Sequence, residues 1–334
     1  MIIKFTKNVK KSEIKHIENI LTNQNFKTTF IEGEIYQLLV VIGDTSQLET
    51  KRLTVYDFIE DVINIQKPYK ESSIKDKRKV QVGNVTFNDD NIVLIAGPCS
   101  IEDEISMDLL VPKLVEHHTH IIRGGAFKPR TSPYSFQGIG QVGLEILNRI
   151  SKKYKTPVIS EITDVRDIDI FVKNVDIIQV GARNMQNYVL LEELGKTDKP
   201  ILLKRGFVNT IEELLLSAEY ILANGNKNVI LCERGIRTFE NQTRNTLDIS
   251  AVPVLKKLTN LPVIVDPSHA AGHWEYIESL SLAAIAAGAD GLMIEVHENP
   301  EFALSDGQQS LKPNNYFTLV EKIKRIAIAI DKKL

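Results

Sequence analysis

Cysteine is scarce. The 334 residues hold two, Cys99 and Cys232. That excludes a disulfide framework and fits a reduced, cytoplasmic setting. An excess of charge of one sign is missing too. Lys and Arg total 41 against 43 Asp and Glu, a formal net charge of -2. The balance gives no reason to expect nucleic acid or an anionic membrane as a partner, although it leaves room for local basic pockets. No uncharged apolar run reaches the about 18 residues of a membrane span. The opening stretch Met1–Lys7 lacks the apolar core of a signal peptide. What is present is ordinary for a globular chain: 43% hydrophobic and 25% charged residues. One hydrophobic core stops growing near about 250–300 residues, so one large domain plus something small is expected.

The small part comes first. Ile2–Phe5 reads as a strand, and Ser12–Leu21 carries apolar residues at helical spacing. Phe26–Ile31 and Tyr36–Ile42 read as strands around the turn-like Glu32, Gly33 and Glu34. Tyr56–Val62 is expected to be a second helix and Val62–Ile65 a closing strand. The order β-α-β-β-α-β predicts a small ferredoxin-like α+β domain over residues 1–66. Residues 67–87 are expected to hold a charged linker, Pro68–Val80, and a short hairpin, broken at Gly83-Asn84, that caps the larger domain.

Residues 88–334 form the larger domain, and from residue 91 the rhythm changes. Ile92–Ala96, Ile121–Arg123, Val158–Glu161, Ile177–Val180, Ile201–Lys204, Val229–Cys232, Val263–Asp266 and Leu292–Val296 are short apolar runs alternating with helical patterns. Continuous apolar strands alternating with helices imply a parallel sheet covered on both faces. Eight such units match a (β/α)8 TIM barrel of about 250 residues better than an open doubly wound sheet. Thr210-x-x-Glu213 is a capping box, and Gly288 a helix stop.

In such a barrel the strand exits build the active site. They carry two groups of residues here. One is cationic: Arg123, Lys128, Arg130, Arg183, Lys204 and Arg234. Six like charges converging on one mouth would repel each other without an anionic partner, so phosphates and carboxylates are the expected ligands. The other group is Cys99, His269, Glu295 and Asp306. A thiolate, an imidazole and carboxylates suit one divalent metal ion, and this mixed set does not choose among Mn, Fe, Co and Zn. His117, His118 and His120 cluster at the end of a helix on the opposite face, where contact with the helix C-terminus is the expected role. His273, Cys232 and Trp274 read as peripheral, core and uninformative.

Taken together, Ile95–Ser100, Arg123–Ser132, Gly181–Asn184, Leu203–Gly206, Asp266–His269 and Glu295–His297 resemble the 3-deoxy-D-arabino-heptulosonate 7-phosphate (DAHP) synthases. The subgroup is the short one shared with the ketodeoxyoctulosonate 8-phosphate synthases. The resemblance implies metal-dependent condensation of phosphoenolpyruvate with erythrose 4-phosphate, the entry to the shikimate pathway. It implies that Cys99, His269, Glu295 and Asp306 bind the metal. It implies that Arg123, Lys128, Arg183, Lys204 and Arg234 hold phosphoenolpyruvate, and that Arg130, Thr131 and Ser132 hold the aldose phosphate. Lys128 is the expected proton donor to the forming alkoxide, and Glu161 is expected to orient or deprotonate the water. The alternatives are an octulosonate synthase using arabinose 5-phosphate, a Schiff-base aldolase through Lys204, and a catalytically dead sensor. Residues 1–66 resemble the regulatory domain found on some members, which implies feedback by tyrosine or phenylalanine. A homo-oligomer such as a tetramer is expected. The role of His297 stays open.

Overall fold

The computed structural model describes every residue except Glu34, Ser46, Gln47, Gln66, Ile74, Lys75 and Thr131. Glu34 of the expected turn and Thr131 of the expected aldose site thus lie outside the described residues. The chain divides into two compact units, Met1–Lys70 and Glu71–Leu334.

The first unit is a four-stranded sheet built from β1 (Ile2–Phe5), β2 (Lys27–Glu32), β3 (Gln37–Ile42) and β4 (Ile59–Ile63), in the order β2-β3-β1-β4. All three pairings are antiparallel, which gives the ferredoxin-like arrangement. The helix Lys11–Asn23 covers one face because Ile14, Ile17 and Leu21 fall on one side of it. They pack with Ile3, Phe5 and Leu39 of the sheet. The expected helix over Tyr56–Val62 does not form. One helical turn, Thr50–Leu53, stands earlier, and Ile59–Ile63 is the closing strand. The spacing of Tyr56, Ile59 and Val62 is helix-like, but pairing with β1, where Val62 faces Ile3, overrides it.

In the second unit, Glu71, Ser72 and Arg78 lie against the barrel, the Arg78 amide donating to the Asn260 carbonyl at 3.1 Å. The Glu71 and Ser72 amides donate to the Glu219 carboxylate at 2.7 and 3.2 Å. The Ser72 carbonyl accepts from the Thr259 hydroxyl at 2.7 Å. A linker rich in charge found fixed charges and exposed backbone on the barrel to pair with, which composition alone does not show. The hairpin β5 (Val80–Val82) and β6 (Val85–Phe87) turns at Gly83. Its four apolar side chains pack into the inward-facing residues of the barrel, among them Val93, Ile121, Ile177 and Ile230.

The barrel is closed. Its strands are β7 (Val93–Gly97), β8 (Ile121–Arg123), β9 (Val158–Ile162), β10 (Ile177–Val180), β11 (Ile201–Lys204), β12 (Val229–Glu233), β13 (Val263–Val265) and β14 (Gly291–Glu295). Every neighbouring pair is parallel, and β14 pairs with β7 to complete the ring. Nearly every strand residue is buried, as a sheet covered on both faces requires. The capping box forms: Thr210 Oγ1 accepts from the Glu213 amide at 3.2 Å and Glu213 accepts from the Thr210 amide at 2.7 Å. Among the described residues, no helix is long and apolar enough to cross a membrane.

Candidate active site

Register brings the exits together. In the β14–β7 pair Glu295 stands beside Gly97, two residues before Cys99. A side chain at position 97 would lie 2.2 Å from the Arg123 carbonyl, and its φ is +150°, so only glycine lets β7 and β8 approach this closely. Arg123 closes β8 and Lys204 closes β11, both buried. Glu161 lies near the end of β9, and Arg183 in the short turn after β10. His269 sits in the turn of helix Pro267–Ala271 behind β13, capped by the Asp266 carboxylate.

These exits surround a cavity of about 300 Å3. Lys128, Arg130, Ser132, Glu161, Arg183, Lys204, Arg234, His269 and Asp306 line it. Cys99, Arg123 and Glu295 are buried around it without lining it. Thus every expected site residue that the structure describes is gathered at one end of the barrel.

The charges are not all unpaired, as the exits alone implied. Arg123 Nη1 lies 2.8 Å from Glu295 Oε1, and Lys204 forms a buried ion pair with Asp266. Two of the six cations are therefore answered from within, by carboxylates that barrel closure places next to them. Lys128, Arg130, Arg183 and Arg234 have no carboxylate ion-pair partner among the described residues. Arg234 is buried all the same, its guanidinium donating to the His269 carbonyl at 3.1 Å, and burial pushes its pKa down. A buried cation without a counter-charge is costly unless an anion binds.

The ring of Phe207 carries three guanidiniums. Arg234, Arg237 and Arg183 stand 4.8, 5.1 and 5.4 Å from its centre. The negative face of the ring offsets part of their mutual repulsion. Phe207 carries no charge and has no motif, so sequence reasoning missed it. Asp266, which stands in a motif, was given no role of its own, and Arg244 and Gln309 lie in loops that no motif marks. Asp266 accepts from His269 Nδ1 at 2.7 Å and so orients Nε2 toward Glu295 Oε1, 3.4 Å away. Burial alone would raise the Asp266 carboxyl, but His269 and Lys204 hold it well below the usual carboxylate range.

Cys99, Glu295 and Asp306 each offer a ligand atom, all within 4.8 Å of one another. His269 reaches Glu295 but stands outside that three-residue group. The Cys99 thiol donates to Asp306 Oδ2 at 3.3 Å, and burial pushes its pKa up to about 12. Glu295 Oε1 is fully buried and makes no hydrogen bond among the described residues, although it lies 2.8 Å from Arg123 Nη1. A buried carboxylate beside a thiol and a second carboxylate is the donor set a divalent transition metal takes, so the residues fit the group. His297 turns away, its Nε2 3.6 Å from Glu102.

The His117–His120 cluster is at the other end. His117 Nδ1 is 2.9 Å from the Lys113 carbonyl at the helix end, and His120 Nδ1 accepts from the Leu94 amide at 3.0 Å.

Comparison with known families bears on this geometry. The model of the DAHP synthetase I family matches residues 70–332. The chain belongs to the DAHP synthetase I family. Residues 1–67 match the DAHP synthase ferredoxin-like domain. Over 342 aligned positions, covering all of both chains, it is 44% identical to the phospho-2-dehydro-3-deoxyheptonate aldolase of Thermotoga maritima. A crystal structure of that DAHP synthase superposes with a TM-score of 0.93 at 43% identity, covering 100% of this chain and 99% of the other. A truncated form of the Thermotoga maritima DAHP synthase covers 78% of this chain and 95% of its own, with a TM-score of 0.73 and 46% identity. The 2-dehydro-3-deoxyphosphooctonate aldolase of Geobacter sulfurreducens is 33% identical across 75% of this chain and 97% of its own.

Proposed function

We propose that this chain condenses phosphoenolpyruvate with erythrose 4-phosphate to give 3-deoxy-D-arabino-heptulosonate 7-phosphate and phosphate, the first step of the shikimate pathway. The observation that carries the reading is the set of cations without carboxylate partners, Lys128, Arg130, Arg183 and Arg234, around a cavity beside the Cys99, Glu295 and Asp306 acids. Two phosphorylated anions repel each other, and a preorganised cationic mouth offsets that repulsion and holds them in contact.

Arg123, Lys128, Arg183, Lys204 and Arg234 hold phosphoenolpyruvate in this reading. Arg130, Thr131 and Ser132 hold the aldose phosphate. C3 of phosphoenolpyruvate bonds to the aldehyde carbon, water adds at C2, and the bond from C2 to the phosphate oxygen breaks. One water is consumed for each phosphate released. Lys128 gives a proton to the new alkoxide. Glu161, fixed by the Gln179 amide at 2.9 Å, takes a proton from the water. Cys99, His269, Glu295 and Asp306 would hold Mn, Fe, Co or Zn, and such an ion supplies Lewis-acid polarisation of the aldehyde oxygen when bound. A Schiff base at Lys204 needs a free amine, whereas the Lys204 ammonium is committed to Asp266.

Residues 1–66 act as the feedback element, with tyrosine or phenylalanine as effector. Supporting this is a cleft in that unit lined by Leu21, Leu48, Leu53 and Tyr56 with Arg52 and Glu49, apolar walls beside both charges of an amino acid. Both cysteines are free and buried, which suits the cytoplasm. The functional form is a homo-oligomer such as a tetramer.

The mass of the product tests the reaction. With both aldose phosphates offered together, a seven-carbon acid phosphate is expected. An eight-carbon product as the main species would replace this reading with the octulosonate one.

A further inference from the structure

We infer that Gln309 and Arg244 are positioning residues that set the Glu295 and Asp306 carboxylates for the metal, an inference that rests on the metal reading above. Gln309 is fully buried at the end of the short turn Gly307–Gln309. Both ends of its amide are committed. Nε2 donates to Glu295 Oε2 at 2.7 Å, and Oε1 accepts from Arg244 Nη1 at 2.8 Å. A guanidinium can only donate, so it fixes which end of the amide faces which way. The amide nitrogen must therefore face Glu295.

The consequence falls on the carboxylate. With Oε2 engaged by Gln309, the Glu295 carboxylate is held with Oε1 2.8 Å from Arg123 Nη1 and 3.4 Å from His269 Nε2, in the group whose ligand atoms lie within 4.8 Å of Cys99 and Asp306. The same Arg244 Nη1 lies 3.5 Å from Asp306 Oδ1, while Asp306 Oδ2 meets Cys99. Asp306 itself has φ 50°, a left-handed conformation that a non-glycine residue adopts at some cost. The Gln309 amide closes that turn onto the Asp306 carbonyl at 3.1 Å. One turn thus carries a ligand at its start and the brace of another ligand at its end, and one arginine touches both. Bracing of this kind outside the ligand shell commonly governs metal affinity.

The test is cobalt titration of the full chain stripped of metal, without substrate, reading affinity and the visible bands of the cobalt–thiolate centre. Gln309→Met keeps the volume and removes both amide bonds. It is expected to weaken cobalt binding about 10- to 100-fold and to change the band pattern, because Glu295 turns. Arg244→Met is expected to do the same more weakly, and Arg244→Lys, which keeps a donor, to restore most of the loss. The double variant Gln309→Met with Arg244→Met is expected to fall below Gln309→Met alone only by the loss of the Arg244–Asp306 contact, and so by less than the two single effects multiplied. If Gln309→Met does not fold, the two Arg244 variants decide. Folded variants with the cobalt affinity and bands of the parent chain overturn the inference and leave the metal reading standing. A parent chain that binds no cobalt overturns the metal reading, and the inference with it.

Discussion

The two ends of the barrel are built from the same eight strands and do opposite things. At the floor, inward-facing Val93, Ile121, Ile177 and Ile230 meet the apolar side of the β5–β6 hairpin. At the mouth, four of the eight strands end on Arg123, Lys204, Glu233 and Glu295, and Arg234 follows Glu233, all buried. The floor gains stability from burying apolar surface. The mouth buries charges, some of them without a counter-ion, which costs stability and suits an anionic ligand. The difference teaches that substitutions at the two ends should separate stability from activity.

The largest expected effect is at the floor. Phe87 is fully buried where the hairpin closes the barrel. Phe87→Ala should cost about 3–5 kcal/mol of unfolding free energy, read by denaturant titration. The KM for phosphoenolpyruvate should stay near the parent value, and a KM that rises as stability falls would erase the contrast between the ends.

His120, at the rim of the floor, comes next. Burial and the neighbouring His118 lower its pKa from 6.5 to about 4. Above about pH 6.5 both folded and unfolded chains leave it neutral and its contribution is full. As pH falls from about 6.5 to about 4 the unfolded chain takes up the proton first, so up to about 3 kcal/mol of stability is lost across that window. The parent chain should show this slope, and His120→Asn should flatten it.

Smaller effects are expected at the mouth, and of opposite sign for stability. Arg234→Met removes a buried cation with no carboxylate partner. The KM for phosphoenolpyruvate should rise about 10- to 100-fold, as loss of a charge-assisted hydrogen bond predicts, while the thermal midpoint holds or rises. A midpoint that falls would show that Arg234 stabilises the fold. Phe207→Ala removes the ring that three guanidiniums share. A rise of a few-fold in the same KM is expected from about 0.5–1 kcal/mol of lost cation–π attraction.

Much of this contrast can be read in the sequence. The eight strands are legible because each is a short apolar run with a charged or glycine-containing exit, and fully buried parallel strands must look that way. The ligand candidates are legible because Cys99, His269, Glu295 and Asp306 stand at such exits. What is not legible depends on closure. That Arg123 pairs with Glu295 follows from β14 meeting β7, which sets it two strands from β8 around the ring, and no spacing along the chain contains it. Gln309 is a neutral amide in one loop, and Arg244 is a partly exposed side chain in another. Their roles exist only once the turn at Asp306 brings them to Glu295. The error at Tyr56–Val62 has the same origin. A helix-like spacing of three apolar residues is weaker than a strand partner supplied from the start of the chain, Ile3 opposite Val62.

Phosphate release from phosphoenolpyruvate by the full chain tests the central claim most directly, measured with and without erythrose 4-phosphate and with and without a chelator. Release is expected only with the aldose present, abolished by the chelator and restored by a divalent metal. Release that proceeds without the aldose, or that the chelator leaves untouched, would contradict it.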